Sequence, residues 1–311
     1  MTTERSLRDT LEEYLSLRRA LGFKLNSAGR LLGQFVDYLE QRGVETISVD
    51  DALDWASLPP GASIHWRAIR LRAIRGFAAY LHGIDASVIV PPAGLIRSGQ
   101  CRATPYLYSA AEIASLLEVA AHLRPRLRAV TYYSLIGLLA VSGMRIGEAI
   151  GLNDHDLDAE RDLLIVRHAK FDKVRLVPLH PTTTAALGRY RQVRDELLPR
   201  RSSPALFVSS VGTRLLHSNI GLTFAGLTCR SGISPRSATC RPRIHNLRHA
   251  FAIASLLDCC STGADAAVML PRLATYLGHS DPKHTFWYLS AAPELMALAG
   301  QKLESHLEQR P

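Results

Sequence analysis

A chain of 311 residues with 47% hydrophobic and 21% charged residues can bury a sizeable core, and its length favours two domains over one. No apolar run reaches the ~18 residues of a membrane span, the charged N-terminus has no apolar signal core, and five irregularly spaced cysteines without a Cys-x-x-Cys pair argue against a disulfide framework or a cysteine-based zinc site. The net charge of +9 points to a polyanionic partner, and the excess is uneven: residues 1–98 hold 12 Lys+Arg against 11 Asp+Glu, residues 99–311 hold 25 against 17. The expectation is a cytoplasmic protein with reduced thiols and no membrane partner.

The first ~85 residues read as four short helices, a compact bundle. In SLRDTLEEYLSLRRALG, Leu7, Leu11, Tyr14, Leu15, Leu17 and Leu21 lie near one stripe and Gly22 stops the helix. SAGRLLGQFVDYLEQRG repeats the pattern and ends at Gly43. SVDDALDWASL opens on a serine cap and an acidic first turn. In SIHWRAIRLRAIRGFAAYLHG, Trp66, Ile69, Ala73, Phe77 and Tyr80 share a face; Arg67, Arg72 and Arg75 lie roughly opposite, with Arg70 at the edge. That arginine row suits a phosphate backbone, and it suits a solvated helix face equally well.

VPPAGLIRSGQCRATPY (90–106) has the composition of a linker. A second helical run starts at Ser109, where Glu112 three residues on makes a capping box. Residues 127–150 read as one strongly apolar helix ending in SGMRIGEAIGL. DLLIVRHA and KVRLVPL read as two strands of a β-hairpin around KFD; TTTAALGRYRQVRDELL returns to helix, ALFVSS reads as a further short strand, and the chain is helical from Ile244. The fold class expected is mainly α with a small antiparallel β-sheet.

Several groups on this frame can carry chemistry. Arg145 closes an apolar helix, where a guanidinium needs an anion or a carboxylate, and Glu148 three residues on can supply the carboxylate. His245, Arg248 and His249 in RPRIHNLRHAFAIASLL share one helical face. A zinc-protease helix needs His-Glu-x-x-His, and Asn246 stands where the glutamate would be, with Arg248 repelling a cation; no metal is expected. Lys170 and Lys173 are two of the chain's five lysines and sit on or beside the hairpin tip. In YLGHSDPKHTFWYLS (276–290), His279 precedes Tyr288 by nine residues.

Taken in order, these groups suit phosphoryl transfer to tyrosine. Two bidentate arginines can hold the equatorial oxygens of a phosphodiester as charge develops on them. A tyrosine hydroxyl with a pKa near ~10 needs a cationic pocket or a base, and histidine serves either role. The departing deoxyribose oxygen needs a proton donor, for which Lys170 is the candidate, and general acid catalysis is worth roughly 10²–10⁴ in rate.

At these boxes the sequence resembles the tyrosine recombinase (phage integrase) family. The family's Gly-(Leu/Met)-Arg-x-x-Glu box is matched by GMRIGEAIGL, its hairpin lysine motif by AKFDKVRLVPL, its His-x-Leu-Arg-His box by HNLRH and its Leu-Gly-His box by YLGHS, with the tyrosine nine residues beyond. The resemblance covers about 105–300 and implies a catalytic set of Arg145, Lys170, His245, Arg248, His279 and Tyr288. It implies domains at 1–90 (a helical, SAM-like core-binding domain) and 106–311 (catalytic), joined by a linker at 91–105. Ala169 and Phe171 replace the glycines that usually flank the hairpin lysine, so a stiffer tip is expected. The 248–279 stretch is longer than in compact members, which suggests a loop or lengthened helix pair and the branch associated with transposon-like elements.

The resemblance further implies a metal-free, ATP-free enzyme with no cofactor. Tyr288 would form a 3′-phosphotyrosine with double-stranded DNA, and tetramers would act on two DNA sites through a Holliday junction. A C-terminal helix at about 293–309 would dock on a neighbouring subunit, other recombinases or accessory factors could act beside it, and the protein would be nucleoid-associated. Candidate DNA contacts are Arg67, Arg70, Arg72, Arg75, Lys173, Arg175, Arg241 and Arg243. Rival readings are a non-cleaving accessory protein of the same fold, a type IB topoisomerase-like enzyme and, from another class, a histidine-rich metalloenzyme.

Overall fold

The computed structural model describes residues 6–58, 60–97, 104–167, 174–201, 203–262 and 266–278, the side chains of 266 and 267 excepted. The chain divides into two compact units, Met1–Arg102 and Ala103–Pro311. The described residues contain eleven α-helices, a short 3-10 helix at Asp154–Asp156 and one small antiparallel sheet, so the fold is mainly α.

The first unit is built from α1 (Leu7–Ala20), α2 (Asn26–Gln41), α3 (Val49–Ser57) and α4 (Ile64–His82). Ser6, Ser48 and Ser63 each accept a hydrogen bond from the backbone N–H three residues on, which satisfies one of the donors every helix start leaves open. Past α1 and α2 the chain turns through Gly22 (φ +87°) and Gly43 (φ +65°), left-handed conformations that favour glycine. Phe35, Val36, Leu39, Trp55, Ile74 and Phe77 form the core. Each large side chain there contributes roughly 1.5–3 kcal/mol by leaving water.

The buried face of α4 differs from the one the sequence suggested. Ala68, Leu71, Ile74, Phe77, Ala78 and Leu81 point inward, whereas Trp66 is 37% exposed. Arg70 goes inward with them. It is 7% exposed, its guanidinium lies 3.5 Å above the Trp55 ring, and its Nη2 donates to the Trp55 carbonyl at 2.7 Å. A cation can be buried this way because the ring face and the carbonyl replace water.

The second unit begins with α5 (Ala110–Ala121), whose capping box of Ser109 and Glu112 is present, and α6 (Arg126–Ser142). The apolar run expected as one helix over 127–150 is two. Gly143 takes φ +58° and stops α6, and α7 (Ile146–Gly151) starts three residues later. The sheet follows: β1 (Leu157–Asp158), β2 (Leu163–Val166) and β3 (Arg175–Pro178), antiparallel in that order with Leu164 opposite Val177. The hairpin expected from the sequence is β2–β3; β1 was not anticipated. The segment expected as a further strand, ALFVSS, makes isolated bridges only, Asn153 with Ala205 and Val208 with Arg214.

Then come α8 (Pro181–Leu197), α9 (His217–Arg230), α10 (Asn246–Ser261) and α11 (Ala266–Leu277). The α10–α11 pair fills the stretch expected to be lengthened. Leu135, Ile136, Leu139, Leu164, Phe207, Phe224 and Leu247 belong to one core, which ties α6, β2, α9 and α10 together. Arg194 on α8 is fully buried, with Nη1 donating to Asp154 and the Leu206 carbonyl at 2.8 and 2.7 Å; this pins the loop after α7. Among the described residues no helix is long and apolar enough to cross a membrane.

Candidate active site

Three elements bring Arg145, Arg248 and Arg175 to one place. Arg145 immediately precedes α7, because the left-handed Gly143 has just ended α6. Arg248 sits in the first turn of α10 and is 2% exposed. Arg175 opens β3, on the same face as the buried Val177 two residues on.

All three reach the C-terminal end of α11. Arg175 Nη1 donates to the Tyr276 carbonyl, Arg248 Nη2 to Leu277 at 2.7 Å and Arg145 Nη2 to Gly278 at 3.1 Å. Three consecutive carbonyls are thus taken by three arginines from three separate elements. The last carbonyls of a helix lack intrahelical partners and form the negative end of its dipole, so guanidinium groups are fitting partners. Gly278 turns away with φ +67°. Arg248 also ties this end to α6, through Nη1 to the Gly143 carbonyl at 2.8 Å.

Glu148 organises the cluster. Its Oε1 accepts from Arg145 Nη1 at 2.8 Å, and its Oε2 accepts from Arg175 Nη2 at 2.7 Å and from the Arg145 backbone N–H at 2.9 Å. The carboxylate has both a structural and an electrostatic role, and it balances only one of the two cations it pairs with. Burial lowers the Arg175 pKa, an effect that Glu148 opposes and Arg145 reinforces.

His245 stands just before α10, its ring edge-on to His249 with centroids 5.1 Å apart. Burial of the ring, then the charges of Arg248 and Arg145, push its pKa below the ordinary histidine value, while Glu148 pulls the other way. The residue as a whole is solvent-exposed. Asn246 is occupied locally: its Oδ1 accepts from the Arg243 backbone N–H at 2.9 Å. Tyr276 packs by stacking on Phe251, centroids 5.7 Å apart, and burial raises its pKa against the charges of Arg175 and Arg248.

The structure therefore brings Arg145, His245 and Arg248 into one neighbourhood. Lys170, Lys173, His279 and Tyr288 lie outside the described residues, as does the segment at about 293–309. Of the expected DNA contacts, Arg72, Arg241 and Arg243 are exposed, and Arg67 and Arg75 are partly so. Arg70 and Arg175 do not belong with them. Arg70 is in the core of the first unit, and Arg175, with 14% of its side chain exposed, is committed to Glu148 and Tyr276. The link from Glu148 to Arg175 was missed in the sequence; the alternation that pairs Arg175 with inward-facing Val177 was the available signal.

The family model described as the phage integrase family matches residues 108–294. An integrase/recombinase of Sinorhizobium fredii (strain NBRC 101917 / NGR234), y4rB, is 40% identical over 98% of this chain and 99% of the relative. Among solved structures, XerH site-specific recombinase bound to palindromic difH substrate in a post-cleavage complex has a TM-score of 0.64 at 20% identity, covering 90% of this chain and 80% of that one. The Tn1549 transposon integrase in complex with a circular intermediate DNA has a TM-score of 0.61 at 18% identity, covering 94% and 99%.

Proposed function

The chain belongs to the phage integrase family of tyrosine recombinases, and from that premise we propose that it cuts and rejoins double-stranded DNA at a specific site through a 3′-phosphotyrosine intermediate. The observation that carries this reading is the convergence of Arg145 and Arg248, 103 positions apart in sequence, on the neighbouring carbonyls of Gly278 and Leu277. Two guanidinium groups held side by side suit the non-bridging oxygens of one phosphodiester, where charge grows during attack.

The chemistry follows from the residue types. Tyr288 Oη attacks the scissile phosphorus, and the bond from phosphorus to the 5′ oxygen breaks. That oxygen leaves with a proton from Lys170, giving a 3′-phosphotyrosine and a free 5′-hydroxyl. His245, whose neighbours favour the neutral imidazole, can accept the tyrosine proton, and His279 donates to the phosphate. A hydroxyl of a partner strand reverses the step. The bond energy is retained in the covalent link, so no nucleotide is consumed.

The same reading makes the helical part of the first unit, about 1–90, a second DNA-binding domain joined through 91–105. It makes the active assembly a tetramer passing through a Holliday junction, with exchange of the 293–309 helix. A mobile element is the proposed source, on the strength of the similarity to the Tn1549 transposon integrase.

The test is covalent capture. The protein is incubated with a pool of nicked duplexes of random sequence, and protein–DNA adducts are isolated and sequenced. Wild type should yield adducts on a defined sequence, undiminished by EDTA, and Tyr288→Phe should yield none. An undiminished Tyr288→Phe adduct would sink the proposal. Strong EDTA inhibition would return a metal to the site, and relaxation of plasmids that lack the captured sequence would favour a topoisomerase.

A further inference from the structure

Arg175 has no role in the chemistry above, and its burial argues against a DNA contact, yet it occupies the centre of the arginine cluster. Its Nη2 holds Glu148 Oε2 at 2.7 Å while Glu148 Oε1 holds Arg145 Nη1 at 2.8 Å. Its Nη1 takes the Tyr276 carbonyl, two residues before the carbonyl that Arg145 takes. A side chain on Gly278 would bring its Cβ within 3.2 Å of Arg175 Nη1, so the guanidinium lies directly against that turn. Arg145 is thus fixed at both of its anchors, the carboxylate and the end of α11, by groups that Arg175 also holds.

We infer that Arg175 is a positioning residue: it sets the geometry of Arg145 through Glu148 and the end of α11, and does not grip DNA. The inference rests on the recombinase reading. A planar fork is needed because the carboxylate and the carbonyl must be reached at once; a lysine ammonium keeps the charge but cannot reproduce that arrangement. Catalysis by Arg145 requires its guanidinium to be placed to within a fraction of an ångström, and a misplacement of about 1 Å can cost on the order of 100-fold in rate.

The experiment uses the full chain and the duplex sequence captured by wild type. Arg175→Lys, Arg145→Lys and the double variant are compared for the rate of adduct formation at saturating protein. Binding of wild type, Arg175→Lys and the charge-removing Arg175→Gln to the unnicked duplex is followed across salt concentrations, and urea unfolding is recorded alongside. For Arg175→Lys the expected result is affinity within about twofold of wild type and an unchanged salt slope, with the adduct rate down roughly 10- to 100-fold. In the double variant the Arg175 change should add little to the loss from Arg145→Lys, because one residue acts through the other.

A salt slope reduced by about one in Arg175→Gln, which removes the charge that Arg175→Lys keeps, would make Arg175 a phosphate contact and overturn the inference. Fully multiplicative losses in the double variant, or an unchanged adduct rate, would overturn it as well. If Arg175→Lys has no cooperative unfolding transition, Arg175→Gln, which keeps a donor for the Tyr276 carbonyl, is judged by the same criteria. Failure of wild type to form any adduct removes the recombinase reading, and this inference with it.

Discussion

The ring of Phe251 occupies the space that a side chain on Gly143 would need: a Cβ there would lie 2.3 Å from Phe251 Cδ1 and 2.9 Å from Cγ. Gly143 also takes φ +58°, and its carbonyl receives Arg248 Nη1. One glycine therefore ends α6, lets α10 approach and supplies an anchor for a buried arginine. Loss of that glycine reaches the site through packing, with no change to any reacting group.

Gly143→Ala should destabilise the protein by about 2–4 kcal/mol. About 1 kcal/mol comes from the left-handed backbone and about 1–3 from overpacking against Phe251. In a Phe251→Ala background, which carries its own cost for the lost ring, Gly143→Ala should cost only the backbone part. Urea midpoints of the two single variants and the double variant measure this directly. Strict additivity would show that the two residues do not compete for space.

The environment of His245 leads to a pH prediction. Its folded-state pKa lies below the ordinary histidine value, through burial and the charges of Arg248 and Arg145, with Glu148 opposing them and the His249 ring packed against it. Between the folded and unfolded values the unfolded chain binds more protons, so stability rises with pH across that window. The contribution is present above about pH 6.5 and is lost as pH falls through the folded value. Wild type should therefore weaken more than His245→Gln when urea midpoints are compared at about pH 7.5 and about pH 5.5. Equal losses would place the ring in an ordinary environment.

Local signals in the sequence carried most of the fold. Serine caps, the Ser109–Glu112 box and the glycines after α1 and α2 act within a few residues, and the structure has each of them. The break at Gly143 was locally signalled too, by a glycine after an apolar run, but the run on both sides masked it. The helix α9 has only a weak signal in the sequence: Ile220, Phe224 and Leu227 recur at helical spacing, but Gly221 and Gly226 interrupt the pattern. The inward face of α4 could not be chosen from periodicity, since apolar residues surround the helix; packing against α3, where Arg70 covers Trp55, decides it. In the site, the individual arginines were legible from their boxes. Their convergence on three successive carbonyls was not, because it depends on tertiary contacts between residues as far apart as Arg145 and Gly278.

Arg70 and Arg72 are two positions apart on α4 and should behave as opposites. Arg70 is buried over Trp55 with a 2.7 Å bond to its carbonyl, whereas Arg72 is exposed. Arg70→Met should cost about 1–3 kcal/mol of stability through the lost ring contact and the lost charged hydrogen bond, and should leave the salt dependence of DNA binding unchanged. Arg72→Ala should change stability by no more than about 0.5 kcal/mol and, if the row faces DNA, lower the salt slope by about one. Urea unfolding and binding titrations on the captured duplex separate the two effects. A lowered slope with intact stability for Arg70→Met would contradict its burial, and an unchanged slope for Arg72→Ala would return the exposed row to an ordinary solvated helix face.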